Sequence, residues 1–427
     1  MAILKKKYDD ATSDFFAALD IGSSKVYCAI AKTLATNTRE NESPYPDMKV
    51  LGFGQHLSRG LKNGNIVDLE QLEDSIFNAI HTAEQNANKN ISSVYVNLSG
   101  SVLHSETVIT EISLSGRQVD DSHIKKLLNL ARDTCTQKGY VVHVIPLNYK
   151  LDAIGDIKDP RGMTGERLIC KSYIVTAPAM LVKNIISCIG RCQLDVAGFA
   201  ASPYASGLST LVPDELSLGA TLIDFGGGCT TFASFSDGNM VDMASLPVGG
   251  NNITNDIARV LSTPLSQAER LKNLYGSLMP TSQDDSESII IPQLGETFNA
   301  QSHQISKNML TNIIRSRVEE ILELLKNRMD TSSADPLVFQ RLVITGGGSQ
   351  LTGFRELAAQ ILGAQIRVAT PRHVVGSGEM ISTPMFSTCA GLLLYGFQNE
   401  SGNPAQDFTQ SGGGIWRRVS GWVRENF

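Results

Sequence analysis

The stretches FFAALDIGSSKVYCAIA (Phe15 to Ala31) and ATLIDFGGGCTTFASF (Ala220 to Phe235) lie about two hundred residues apart and share one design. Each reads as an apolar strand, Asp, one apolar residue, Gly, two small residues and a second strand, with Asp20 and Asp224 in matching places. A β-rich run on both sides of a Gly/Ser turn predicts a hairpin. No large side chain obstructs the backbone N–H groups of such a turn, so it can cradle phosphate oxygens. The candidate phosphate residues are Gly22, Ser23 and Ser24 in the first turn, and Gly226, Gly227, Gly228 and Thr230 in the second. A carboxylate ending the first strand stands where a hydrated Mg²⁺ bridging those phosphates takes a ligand, directly or through water. Asp20 and Asp224 are therefore the candidate metal residues. Lys25 has two readings, a cation that neutralises phosphate or a solvated strand residue. Singly, Asp-x-Gly ends many strands simply to make a turn; as a pair, the stretches predict a duplicated domain whose facing loops clamp one nucleotide.

Two further stretches extend this reading. In RLVITGGGSQLTGFRELAAQIL (Arg341 to Leu362) a β-rich run ends at Gly346, Gly347 and Gly348, and Leu351, Phe354, Leu357, Ala358 and Ile361 then recur with helical period. A turn without side chains lets a flat base or ribose approach the backbone. In AERLKNLYG (Ala268 to Gly276), Glu269 and Lys272 share a helix face at i, i+3. They offer ribose hydroxyls an acceptor and a donor; the alternative is a solvated surface ion pair.

Composition narrows the function classes. At about 150 residues per domain, 427 residues make roughly three compact units or two large lobes. With 42% hydrophobic residues, 19% charged and 37 glycines, the balance is that of a soluble α/β protein. A net charge of −6 argues against nucleic acid as a partner, since bulk phosphate binding needs a basic field. The start, MAILKKKYDD, lacks the apolar segment of a secretory signal, and no apolar run reaches 18 residues. Seven scattered cysteines form no disulfide or zinc framework and point to a reducing compartment. Cys188 and Cys192 share a face at i, i+4, but with no histidine nearby they read as core rather than metal ligands. The seven histidines show no paired spacing.

In this order and spacing, DIGSSKV, IDFGGGCTTFA, LPVGGNNITNDIA (Leu246 to Ala258), AERLKNLYG and VITGGGSQL resemble the actin-like ATPase superfamily, and more narrowly the FtsA family of bacterial cell-division proteins. The resemblance implies an α/β, actin-like two-lobed fold of duplicated ribonuclease H-like domains, with ATP and Mg²⁺ in the cleft. It implies an inserted α+β subdomain of SHS2 type and a C-terminal amphipathic helix. The expected divisions are 1–90 and 173–203 (subdomain IA, first phosphate loop), 91–172 (the insertion, IC), 204–245 and 329–398 (IIA, second phosphate and adenosine loops), 246–328 (IIB), 399–414 (a linker) and 415–427 (a membrane-targeting helix). Within the insertion, VYVNLSGSVLHSETVITEISL alternates like strands, and DDSHIKKLLNLARDTC reads as a helix with Asp120 or Asp121 near its start.

The implied function is to anchor FtsZ filaments to the cytoplasmic face of the cell membrane at the division site, to self-assemble into actin-like filaments and to recruit later division proteins. In the family, the FtsZ C-terminal tail docks on a basic helix of the upper second lobe. In MLTNIIRSRVEEILELL (Met309 to Leu325) this carries over to Arg315 and Arg317; the alternative is ordinary helix solvation beside Glu319 to Glu323. No catalytic residue is assigned. The crossover FAASPYASG (Phe199 to Gly207) offers only Ser202 and Ser206, too weakly basic to activate water unaided. ATP is therefore expected to act as a conformational and polymerisation ligand, hydrolysed slowly if at all. A pilus-assembly protein of PilM type and a small-molecule kinase or phosphatase are the competing readings.

The tail GGGIWRRVSGWVRENF holds both tryptophans of the chain. At 100° per residue Ile415, Trp416, Val419, Trp422, Val423 and Phe427 fall within a sector of roughly 140°, and Arg417, Arg418 and Arg424 lie outside it. A helix of about 20 Å is too short to cross ~30 Å of hydrocarbon, but it can lie in the interface of an anionic membrane. Six partly buried apolar side chains at about 1 kcal/mol each match or exceed three arginines at about 1 kcal/mol each, so the apolar face leads and the cations assist. Docking on its own lobes or in a partner's groove are the alternatives. The polar linker 399–414 argues against the first.

Overall fold

The computed structural model describes residues 15–34, 45–281, 285–292, 303–376 and 378–400. The amphipathic tail 415–427 and all of the linker after Glu400 lie outside the described residues.

The first repeated stretch forms an antiparallel hairpin. In it β1 (Phe15–Ile21) pairs β2 (Lys25–Thr33), with Ile21 opposite Val26. Both strands are buried on nearly every residue because they sit inside a sheet covered on both faces, which is why their sequences read as apolar runs rather than alternations. β3 (Met48–Leu57) extends the hairpin, and β6 (Ser93–Leu98) and β11 (Asp195–Ala201) continue the sheet in parallel from β1. The order is β11-β6-β1-β2-β3-β19, with β19 (Val374–Gly376) on the far edge. α1 (Leu69–Ala87) covers one face with Leu72, Ile76, Ala79, Ile80 and Ala83. Its first turn is capped by the Asp68 carboxylate, which accepts the Gln71 N–H at 3.1 Å. A two-residue hairpin of β4 (Leu61–Lys62) and β5 (Asn65–Ile66) precedes α1, and α3 (Ala179–Arg191) packs beside it.

The second stretch repeats the plan. β12 (Ala220–Phe225) and β13 (Thr230–Ser236) form the hairpin, β14 (Asn239–Leu246) extends it, and β17 (Arg341–Thr345) and β18 (Gln365–Val368) run parallel beside β12. Above this sheet stand α6 (Gly250–Val260), α7 (Leu265–Tyr275), α8 (Lys307–Asp330) and the hairpin of β15 (Ser288–Ile291) and β16 (His303–Ser306). α9 (Phe354–Leu362) carries the helical period read after the triple glycine.

The inserted unit is a four-stranded antiparallel sheet, ordered β7-β10-β8-β9, with one helix on it. Its elements are β7 (His104–Ser113), α2 (Asp121–Thr136), β8 (Tyr140–Leu151), β9 (Ile154–Ile157) and β10 (Arg167–Ala177). It has its own core, built from residues such as Ile112, Leu127, Leu128, Val144 and Ile174. Asp120 caps α2, accepting the backbone N–H groups of Ser122 and His123.

Two expected boundaries move. β6 lies within 91–172 but pairs β1 in the first lobe, and β10 continues its pairing with β7 and β8 to Thr176 or Ala177, so the insertion begins after Leu98 and ends near Ala177. A strand whose partner lies some seventy residues away shows its own β character in sequence but not its sheet. Likewise, not all of 329–398 belongs to the second lobe: β19 pairs β3, and α10 (Ser387–Glu400) packs on β1 and on α4 (Ser202–Thr210). STCAGLLLYG is buried along its whole length and shows no amphipathic stripe that would assign it to one sheet. At this junction Tyr395 is fully buried among Tyr95, Tyr204 and His143, with ring centroids 6.0, 6.2 and 5.9 Å away.

The helices α4 and α10 meet at Gly391, where an added Cβ would stand 1.7 Å from the Ala205 carbonyl oxygen. Gly391→Ala should therefore cost about 1–3 kcal/mol through forced separation of the pair. Gly190→Ala, at a helical position with open space around it, should leave the thermal midpoint unchanged or raise it. Paired thermal melts check this; equal midpoints for the two variants would contradict the close approach.

Candidate nucleotide site

The two turns close in the same way. The Gly22 N–H donates to the Lys25 carbonyl at 3.1 Å, and the Gly226 N–H to that of Cys229 at 3.0 Å. They also face each other. A Cβ on Gly227 would fall 1.9 Å from Ser24 Oγ, and one on Gly228 would fall 2.5 Å from Ser23 Oγ, so only glycine allows the second turn to come this near the first. Ser24 Oγ also donates to Asn251 Oδ1 at 2.8 Å, joining the first turn to the start of α6. The Gly250 and Asn251 N–H groups donate to the carbonyls of Gly226 and Gly227, which fixes α6 onto the second turn. Thr230 is buried, and its hydroxyl is spent on the Val248 carbonyl at 2.8 Å. Lys25 is half-buried at the foot of β2, with no ion pair among the described residues.

Glu269 and Lys272 form an ion pair at 2.7 Å, but an unequal one. The lysine side chain is 11% exposed and also donates to the Gly250 carbonyl and to Thr254 Oγ1, so it braces α6 from below rather than standing in solvent. Burial alone would raise the Glu269 pKa; Lys272 and donors from Thr254 and Asn273 outweigh it, and the group is held below its ordinary value. The third turn stands beside the second aspartate. Gly346, at φ 87°, would place a Cβ 2.4 Å from Asp224 Oδ1, and Gly347 lies against Met385.

The carboxylates are the electrostatic centre of the site. Asn97 Nδ2 donates to Asp20 Oδ1 at 2.7 Å while its Oδ1 accepts the Ile21 N–H at 2.7 Å. Asp224 Oδ2 accepts from Ser206 Oγ at 2.7 Å and from Thr388 Oγ1 at 3.1 Å. No donor among the described residues reaches the second oxygen of either group. Burial, and then repulsion from Asp224, push the Asp20 pKa from 3.8 to about 8. Burial raises Asp224 too, against its two hydroxyl donors. Two desolvated carboxylates that repel each other, each with one oxygen unsupplied, are a donor set that fits a hard divalent cation. The described residues include no group of three or more His, Cys, Asp or Glu able to hold a metal, so the remaining ligands of such a cation would be phosphate oxygens and water.

Sequence reading missed Asn97, Asn251, Thr388 and Met385, which reach the site from elements whose neighbours are remote in the chain. Ser202 and Ser206, considered only as bases, are hydrogen-bond donors here. Arg315 and Arg317 sit on α8, away from the turns. Arg315 donates to Glu319 and to the Leu278 carbonyl, and Arg317 pairs with Asp256 and Glu320, so both guanidinium groups are engaged within the lobe.

Because the folded chain holds the Asp20 proton more tightly than an unfolded one, that contribution to stability is complete below about pH 4 and lost as pH rises through about 8. In buffer free of nucleotide and divalent cation, Asp20→Asn should melt a few degrees above the parent at pH 8, with a smaller gap at pH 5. Equal midpoints at pH 8 would remove the argument from burial and repulsion.

Comparison with known proteins bears on the whole chain. A family model described as cell division protein FtsA matches residues 221–391, and one described as the SHS2 domain inserted in FtsA matches 100–176. The cell division protein FtsA of Agrobacterium fabrum is 37% identical over 99% of this chain and 97% of its own length. Among solved structures, the PilM-PilN type IV pilus biogenesis complex superposes with a TM-score of 0.62 at 16% identity, over 90% of this chain and 99% of the matched one. MreB5 of Spiroplasma citri bound to ADP gives 0.53 at 14%, over 92% and 98%. The structural likenesses show an actin-like fold. With the insertion in place and identity running nearly end to end, the chain belongs to the FtsA family of cell division proteins.

Proposed function

We propose that this chain binds ATP with Mg²⁺ between its two glycine turns and works as an adaptor. It tethers FtsZ filaments to the cytoplasmic face of the cell membrane at the division site, self-assembles into actin-like filaments and recruits later division proteins. The observation that carries the nucleotide part is the pair of facing turns, each preceded by a buried carboxylate with one oxygen unsupplied. Backbone N–H groups around Gly22–Ser24 and Gly226–Gly228 would bind the phosphates, and Asp20 and Asp224 would hold the cation, directly or through water. Mg²⁺, when bound, supplies the positive charge that offsets both carboxylates and the phosphates. The turns touch directly, so entry of a nucleotide calls for the lobes to part. Gly346–Gly348 and the Glu269–Lys272 pair would border the adenosine.

Hydrolysis has little support. The crossover offers the Ser202 and Ser206 hydroxyls, which donate to the Leu98 carbonyl and to Asp224, and a serine hydroxyl is too weakly basic to take a proton from water unaided. Turnover of MgATP should stay below about 1 s⁻¹ in a coupled phosphate-release assay; a faster rate would favour a catalytic reading.

The adaptor part rests on family membership, on the actin-like fold and on the tail's apolar face of Ile415, Trp416, Val419, Trp422, Val423 and Phe427, flanked by Arg417 and Arg418. One short helix is a reversible anchor, and assembly multiplies it through effective concentration. We place the acidic FtsZ tail on α8 near Arg315 and Arg317, where it would exchange for or extend the present pairs with Glu319, Glu320 and Asp256. FtsZ filaments should pellet with anionic phosphatidylglycerol liposomes when the full chain is added and stay in solution with a chain ending at Gly414. Co-sedimentation of FtsZ with the shortened chain would overturn the anchor.

A further inference from the structure

Three serines recur at helical spacing, Ser202, Ser206 and Ser209, along a helix buried at every position. A buried hydroxyl needs a partner, and those these find map the junction. Ser202 Oγ donates to the Leu98 carbonyl at 3.2 Å and accepts from Asn97, the residue that holds Asp20. Ser209 Oγ donates to the Ser387 carbonyl at the start of α10, 2.7 Å away. Between them, Ser206 Oγ meets Asp224 Oδ2 and lies 2.9 Å from Thr388 Oγ1 on α10, which reaches the same carboxylate oxygen. Two hydroxyl protons serve these three contacts, so whichever way they turn, the carboxylate is the final acceptor.

A carboxylate can rotate about its Cβ–Cγ bond. Here donors from two separate helices hold Oδ2, while Oδ1 faces the Gly346 turn at the cleft. The two lobes differ in this respect: Asp20 reaches α4 only through the Asn97 amide, whereas Asp224 touches α4 and α10 directly.

We propose that Ser206 and Thr388 are positioning residues for Asp224. Holding Oδ2, they aim Oδ1 at the cation position, and because they sit on the two junction helices they make the seating of α10 against α4 depend on what Asp224 binds. This inference rests on the nucleotide reading above. It also gives the crossover serines a role that does not require them to be bases.

The test uses the full chain, a fluorescent ATP analogue and amide hydrogen exchange. In the parent, Mg²⁺ should tighten nucleotide binding relative to the same titration in EDTA, and the complex should slow exchange across residues 202–210 and 387–400. In Ser206→Ala/Thr388→Val the Mg²⁺ advantage should fall about tenfold, the low end of what outer partners of metal ligands carry. The slowing in the two helices should vanish while metal-free affinity changes little. Thr388→Ser, which keeps the hydroxyl, should retain both effects. An unchanged Mg²⁺ advantage in the double variant overturns the aiming role, and unchanged slowing overturns the coupling. Should the double variant not fold, Thr388→Val alone decides by the same readouts, with a smaller loss expected. A parent that binds no MgATP overturns the nucleotide reading itself, an outcome distinct from a binding parent whose variants keep the full effect.

Discussion

Repulsion between two carboxylates taken out of water is the constraint around which this molecule is arranged. Asp20 and Asp224 end equivalent strands of two sheets, and closing the sheets toward each other buries both charges in one cleft. Neither lobe stabilises its carboxylate alone with backbone. Asn97 arrives because β6 lies beside β1, and Ser206 and Thr388 arrive because two helices cross where the chain passes between lobes. That crossing is as close as backbone permits, since Gly391 sits against the Ala205 carbonyl. Sheet order, helix packing and site electrostatics are thus one arrangement.

The duplication is clearest where the two halves diverge. In both, a hairpin strand ending in Asp has a parallel neighbour, β6 in the first lobe and β17 in the second. At the matching place the first lobe carries Asn97, whose amide grips the carboxylate. The second carries Thr345, opposite Asp224 in the register, and its hydroxyl turns away to Ser387 at 2.6 Å. One position therefore anchors a charge in one half and a helix in the other. An amide nitrogen has two protons to give, and Asn97 gives them to Asp20 and Ser202; a threonine hydroxyl has one.

Local chemistry was legible in the sequence, and long-range neighbours were not. The hairpins, their matching aspartates, the glycine turns and the Asp120 cap are properties of contiguous residues and hold in the structure. The sheet to which β6 belongs, and the return of β19 and α10 to the first lobe, depend on pairings between distant segments that no local period encodes. The same distinction separates the site residues. Asp20 and Asp224 announce themselves beside glycines, whereas Asn97 is one polar residue ending an apolar strand and Thr388 one hydroxyl in a buried helix. Glu319 and Glu320 lie within a turn of Arg315 and Arg317 on α8 and were legible as neighbours, whereas Asp256, the other partner of Arg317, comes from α6, some sixty residues earlier.

The burial of α10 has a mechanical meaning. The chain leaves the described fold at Glu400, the end of a helix wedged between sheet and crossover and fixed by Tyr395 in its aromatic surround. The tryptophan-bearing segment follows this helix in the chain. A tension applied to the chain at Glu400 acts first on this helix. It enters along the axis of α10 and is borne where Thr388 and Gly391 meet α4, within the reach of Asp224.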